Sequence, residues 1–242
     1  MTKLATIEIL QEYTEWKPFI LSLPQLFRER KGNLIHDGRN KLRRFEYQGK
    51  SIIVKEFHRP NLINRFVYGV LRPSKAKRSF YHAQLLQHLG IGTPAPIAYM
   101  TLRNHGFFDL SYYVTLASDC RYDYSEIMNA PGAYDDVLQE LALTTACLHT
   151  AGYWHKDYGR GNILFDRDKE GKVKLEVIDL NRIGHGKVDI HLGCENFNRL
   201  PATPHMHHVI AETYARARGF EANLCYQLIT EARRKDKVQE EF

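Results

Sequence analysis

The strongest constraint on this chain lies in His155-Lys156-Asp157-Tyr158-Gly159-Arg160-Gly161-Asn162-Ile163-Leu164 and, downstream, Val177-Ile178-Asp179-Leu180. A polar loop carries an Asp and, five residues on, an Asn; an apolar strand, a charged turn and a second strand ending in Asp follow. Strands over Ile163-Leu164-Phe165 and from Val173 to Ile178 would pair as a hairpin and bring Asn162 and Asp179 to one end of it. One carboxylate and one amide oxygen suit Mg2+, a cation that keeps several waters and shares the phosphates of a nucleotide. Asp157, on the preceding loop, is placed to meet a substrate hydroxyl. Either piece alone recurs by chance in loop-rich domains. Together, and with a Val-Lys strand upstream, they point to metal-and-phosphate chemistry.

The rest of the chain can house such a site. At 242 residues it holds one sizeable core or two small lobes sharing a cleft. Its 43% hydrophobic and 26% charged content excludes a disordered chain. No apolar run approaches the roughly 18 residues of a membrane span. Glu8, Glu12, Glu15 and Pro18 interrupt any secretory pattern, so a cytoplasmic location is expected. Cys120, Cys147, Cys194 and Cys225 are scattered without metal-ligand spacing, and reduced thiols are expected. The net charge of +6 is uneven: between Glu56 and Asp109 there is no acidic residue, while Arg59, Arg65, Arg72, Lys75, Lys77, Arg78 and Arg103 accumulate. Such a field suits an anionic partner, whether nucleotide, nucleic acid, phosphorylated glycolipid or membrane surface, or is a plain solvated face.

Residues 1–30 read as a helical leader. Trp16, Phe19, Ile20, Leu23 and Phe27 fall near helical spacing, with Pro18 and Pro24 breaking it into short pieces that pack on a first lobe. Strands follow over Asn33 to His36 and Leu42 to Tyr47, joined through Asp37-Gly38-Arg39-Asn40-Lys41. After the turn Gln48-Gly49-Lys50 comes Ser51 to Phe57, where alternation puts Ile53, Lys55 and Phe57 on one face. Lys55 there either reaches nucleotide phosphates as a point charge or snorkels to water. The loop of Gly38, Arg39 and Asn40 is a candidate phosphate lid; with one glycine it is equally an ordinary hairpin turn.

Ser74 is placed to cap a helix running to about Leu89, with His82, Leu85, Leu86 and Leu89 as its inward stripe. Gly90 to Pro94 ends it. Ile97 to Leu102 and Ser111 to Leu116 form a hairpin over Asn104-His105-Gly106, and Leu116-Ala117-Ser118 is a hinge whose backbone could pair with an adenine edge. Beyond it a helical lobe is expected. Its clearest stripe is Val137, Leu138, Leu141, Ala142, Thr145 and Leu148, closed by Gly152. Two last helices span His205 to Arg218 and Glu221 to Lys235. His205, His207 and His208 lack a fourth ligand at metal spacing and read as a loop or helix start.

The chain resembles the lipopolysaccharide kinases that phosphorylate Kdo or heptose in the lipid A inner core, in particular the Bacteroidetes-type members. The resemblance rests on Ile53 to Phe57, Leu71 to Ser79, Thr93 to Tyr99, Leu148-His149 through Asn162, Ile178 to Arg182, and Cys194-Glu195-Asn196-Phe197-Asn198-Arg199-Leu200. It implies an α+β, protein-kinase-like two-lobed fold. A β-rich N-lobe would cover residues 1–116 and a compact, truncated helical C-lobe residues 117–242. It also implies ATP as donor and Mg2+ as cofactor. Lys55 would hold the α/β-phosphates, Asp157 would be the catalytic base, Asn162 and Asp179 would bind Mg2+, and His155 would brace the loop.

Three departures from the kinase pattern matter. The helix that should present a Glu to Lys55 has no acidic residue; Tyr81, His82 or Gln84 occupies that region, and a neutral His82 would hold Lys55 more loosely. Asp179 is followed by Leu180-Asn181 instead of Phe-Gly, which argues against a movable switch. Too little chain lies between Asp179 and Phe242 for a protein-kinase activation segment and peptide platform. Arg160 would neutralise charge on the transferring phosphoryl group, or is a surface or ion-paired arginine; Lys156 points outward. The Lys75-Lys77-Arg78 cluster would meet lipid A phosphates or the inner leaflet, giving peripheral contact with the inner membrane, or is a solvated helix face. Competing functions are a kinase for another sugar, an amine or a protein side chain, and a nucleotide-binding pseudokinase acting as an interaction module. Nucleic-acid binding has only the basic balance behind it and no recognisable module, and is not expected.

Overall fold

Lys50–Phe57 is apolar on both faces, with Ile52, Val54 and Phe57 buried, and this makes it an inner strand of a sheet covered on both sides. The computed structural model describes residues 2–58, 73–104, 107–130 and 132–240. The chain divides into two units, Met1–Gln84 with Pro94–Ser118, and Leu85–Thr93 with Asp119–Phe242.

The first unit is an antiparallel six-stranded sheet of β1 (Thr2–Ile9), β2 (Asn33–Asp37), β3 (Asn40–Tyr47), β4 (Lys50–Phe57), β5 (Pro96–Asn104) and β6 (Phe107–Leu116), in the order β1-β5-β6-β4-β3-β2. Gln48 and Gly49, both at positive φ, make the two-residue turn that pairs Tyr47 with Lys50. The expected helical leader is corrected in part. Thr2–Ile9 is an edge strand paired with β5, because Ile7 and Ile9 alternate onto the core side of the sheet. Only after a 3-10 turn at Gln11–Trp16 does helix α1 (Lys17–Arg28) begin, and it is continuous. Pro18 sits at its N-terminal end, where a missing N–H costs little. Pro24 lies inside it, at a cost of about 3 kcal/mol. Trp16, Ile20, Leu23 and Phe27 are all buried on the sheet, and at about 1.5–3 kcal/mol each they outweigh that cost.

Helix α2 (Lys75–His88) is capped as expected, Ser74 Oγ accepting from the Lys77 N–H at 3.1 Å. Its inward stripe is not the expected one. Ala76, Phe80, Ala83 and Leu86 are buried, while His82, Leu85 and Leu89 are half-buried, because Phe80 is the side chain that meets Phe57 and Tyr99 under the sheet. Lys75 and Lys77 lean across the rings of Phe57, Tyr81 and Tyr99, so with the half-buried Arg78 they are not a solvated basic face. Arg59, Arg65, Arg72 and the turn residues His105 and Gly106 lie outside the described residues.

In the second unit, α3 (Tyr124–Asn129), α4 (Asp135–Thr150), α5 (Ile190–Glu195), α6 (Pro204–Arg218) and α7 (Ala222–Glu240) surround two small sheets, β10-β9-β7 and β11-β8. These strands are β7 (Tyr122–Asp123), β8 (Tyr153–His155), β9 (Ile163–Arg167), β10 (Val173–Val177) and β11 (Ile183–His185). The expected α4 stripe is buried at every position, and Gly152, at φ 81°, ends the helix. Gly90, at φ 73°, ends α2, and the chain then runs against β10, where the Val177 N–H donates to the Gly92 carbonyl at 2.9 Å. Among the described residues no helix is long and apolar enough to cross a membrane.

A directional chain of hydrogen bonds ties three helices together. Tyr214 OH donates to His149 Nδ1 at 2.8 Å, and His149 Nε2–H donates to Asn196 Oδ1 at 2.9 Å. This assignment requires neutral imidazole, and burial pulls the His149 pKa down to about 4 from the ordinary 6.5. The unfolded chain therefore binds more protons between those values. Stability should fall as pH drops through the window, by roughly 3 kcal/mol from this group. Urea unfolding at pH 7, 6 and 5 should show the decline, with a shallower slope in His149→Gln. A separate test concerns Gly92, where a Cβ would sit 2.0 Å from the Leu175 carbonyl oxygen. Gly92→Ala should lower stability by about 1–3 kcal/mol in the same unfolding assay.

Candidate active site

Each functional side chain of the second unit is held by its neighbours. His155 is fully buried at the end of β8. The Asp157 N–H donates to its Nδ1 at 3.1 Å, which makes Nε2 the protonated nitrogen, and that N–H donates to the Ile178 carbonyl at 3.2 Å. Burial lowers the His155 pKa; the charges of Asp179 and Asp157 offset this only in part, so the ring stays neutral. Asn196 Nδ2 donates to the His155 carbonyl at 2.7 Å, connecting this bracket to the His149 chain. The loop after Asp157 is tied down by Tyr158, which is buried with its hydroxyl 3.0 Å from Thr145 Oγ1.

Asn162 and Asp179 flank the β9-β10 hairpin as expected. Ile163 pairs with Val177, and the Ile178 N–H donates to the Asn162 carbonyl at 3.0 Å. Asn162 Nδ2 donates to the Asp157 carbonyl at 2.7 Å, which turns its amide oxygen into the available ligand atom. Asp179 adopts the left-handed conformation, φ 59° and ψ 47°, and Asn181 Nδ2 donates to its Oδ1. One amide oxygen and one carboxylate fit Mg2+ by the chemistry of the donor set. The chain beyond Asp179 is pinned. A 3-10 turn at Leu180–Arg182 leads directly into β11, and the Lys156 N–H donates to the Arg182 carbonyl at 2.8 Å.

The Asp157 carboxylate is held by two arginines that sequence reading gave no role. Arg199 Nη1 donates to Oδ1, and Arg182 Nη1 lies 3.4 Å from Oδ2. Both arginines belong to stretches that carry the family resemblance, but their folding back onto Asp157 from beyond β10 has no sequence signal. The two pairs are about half-exposed on the arginine side and contribute about 0–1 kcal/mol each, so the clamp opens readily. Beside it lies a pocket of about 420 Å3 lined by Gly159, Arg160, Gly161, Asn162, Arg199, Pro201 and Arg233. Arg160 is exposed and forms no ion pair among the described residues. Lys156 points away, its Nζ over the Trp154 ring. His205 pairs with Asp135 and His208 with Glu212, and no metal-holding group of His, Cys, Asp and Glu occurs among the described residues.

The remaining expected residues belong to the first unit. Lys55 is half-buried on the sheet face that carries Phe57, its Nζ 5.3 Å from that ring's centroid. The Gly38-Arg39 turn is exposed, and Asn40 starts β3, its Oδ1 accepting weakly from the His58 N–H at 3.4 Å. This is a short hairpin turn, with Asp37 paired to Lys41. The hinge reading is narrowed: the Leu116 N–H donates to Ala95 and the Ala117 N–H to Ser51, so neither is left for an adenine edge. His82 is half-buried on α2, which has no acidic residue along its length.

Comparison with known proteins follows the same lines. A search of curated proteins found no match. The structure of WaaP in complex with acyl carrier protein is similar, with a TM-score of 0.66 at 16% identity, covering 97% of this chain and 99% of that one. A Rio2 kinase-ADP/Mg2+-phosphoaspartate complex from Chaetomium thermophilum aligns at a TM-score of 0.47 and 17% identity, over 90% and 76% of the two chains. The first likeness shows an α+β fold shared with WaaP. The family model for the lipopolysaccharide kinase (Kdo/WaaP) family matches residues 27–203, most of the chain. The chain therefore belongs to the lipopolysaccharide kinase (Kdo/WaaP) family and is a phosphotransferase acting on a sugar hydroxyl.

Proposed function

We propose that the protein transfers the γ-phosphoryl group of ATP to a hydroxyl of Kdo or heptose in the lipopolysaccharide inner core, on the cytoplasmic side of the inner membrane. The observation that carries this reading is the bracket around His155, which ties Asp157 to the strand that ends at Asp179, with Asn162 bonded to both segments and lining an arginine-rich pocket. In this reading Asp157 accepts the proton of the acceptor hydroxyl while the sugar oxygen bonds to the γ-phosphorus and ADP leaves. In the same reading Arg160, which lines the pocket, offsets charge on the transferring group. Bound Mg2+, held by Asn162 and Asp179, would neutralise charge on the β- and γ-phosphates. Lys55 is assigned the nucleotide phosphates by its family position.

A second reading is a nucleotide-binding pseudokinase, favoured by the lack of any carboxylate on the Lys75–His88 helix. An acceptor panel decides between them. Phosphate should appear on Kdo-lipid A and not on a peptide. Asp157→Asn should lower that turnover by about 10²–10⁴-fold with circular dichroism unchanged. ATP binding without transfer to any sugar acceptor would support the pseudokinase instead.

A further inference from the structure

Arginines line the pocket beside Asp157; Arg199 is paired with Asp157 and Arg233 with Asp236, while Arg160 forms no ion pair among the described residues. Three guanidinium groups from distant segments converge on this pocket: Arg160 from the catalytic loop, Arg199 from the turn after α5, and Arg233 from α7. Arg233 is largely enclosed and donates through Nη1 to the Asn198 carbonyl at 3.0 Å and to Asp236 at 3.1 Å. Its Nε is buried without a hydrogen-bond partner among the described residues. The Nη1 bonds fix the Arg233 guanidinium at the pocket wall. Arg199 faces two ways, lining this pocket and holding Asp157 Oδ1. While it does so, one carboxylate oxygen of Asp157 is engaged.

We propose that the pocket seats an anionic group carried by the acceptor sugar, a carboxylate or a phosphate, and that the seated anion draws Arg199 off Asp157 and frees the base. The acceptor's charge then selects it and switches on the site together. A neutral sugar of the same shape leaves Arg199 on Asp157 and is a poor substrate. Arg160 and Arg199 act here as specificity-determining residues, and Arg182 keeps Asp157 oriented when Arg199 leaves. The inference rests on the kinase reading and deepens it by naming what the acceptor must carry.

The test separates the two. Binding of Kdo, of its neutral methyl ester and of a heptose phosphate is measured by calorimetry, with no nucleotide present. Phosphoryl transfer from ATP to each is measured in parallel. At least one of the two anionic sugars should bind ten-fold or more tightly than the ester; which one does so identifies carboxylate or phosphate as the source. Arg160→Gln, at an exposed position that leaves the fold intact, should weaken that binding about ten-fold. Arg199→Gln should bring kcat/KM for the acid and its ester within a few-fold of each other. Equal binding of acid, phosphate and ester, or unchanged anion binding in both variants, would overturn the proposal whatever the transfer assay gives. Tight, arginine-dependent anion binding with no transfer would uphold the pocket and remove the kinase reading alone.

Discussion

A single neutral imidazole holds the site together. His155 takes a hydrogen bond from the Asp157 N–H on one ring nitrogen and gives one to the Ile178 carbonyl from the other, so one buried ring fixes both Asp157 and the strand that ends at Asp179. Burial keeps it neutral against the pull of the two flanking carboxylates, and neutrality is what lets it accept and donate at once. Asn196 extends the arrangement by donating to the His155 carbonyl while accepting from His149, whose own neutrality burial also secures. The loop chemistry is thereby anchored in the helical core and not merely displayed on a flexible surface.

Around that bracket the charges are distributed unevenly, and the distribution bears on function. Asp157 faces Arg199 and Arg182, so the carboxylate proposed as base is already engaged before an acceptor arrives. The pairs are weak enough to exchange, and the adjacent pocket offers Arg199 an alternative position beside Arg160 and Arg233. The segment beyond Asp179 is folded at once into β11 against β8.

Much of this was legible in the residues. The β9-β10 hairpin, the α4 stripe, the Ser74 cap and the Gly90 terminus all follow from local pattern, since turn chemistry and periodicity act over a few residues. Thr2–Ile9 is harder to read: its alternation, Ile7 and Ile9 about Glu8, covers only a few residues, and the strand's place at the sheet edge depends on its distant partner β5. Of the expected α2 stripe of His82, Leu85, Leu86 and Leu89 only Leu86 is fully buried, because the packing of Phe80 on Tyr99, a long-range contact, turns the helix. The roles of Arg199, Arg182 and Arg233 depend on segments returning from later in the chain. No spacing rule reveals them.

The proposed magnesium-nucleotide site is tested most directly by calorimetric titration of ADP with and without Mg2+, on the wild-type chain and on Asp179→Asn. The account predicts binding that depends on Mg2+ and weakens sharply in the variant, whose fold, followed by circular dichroism, is retained. Binding of equal strength without Mg2+, or unchanged in Asp179→Asn, would contradict it.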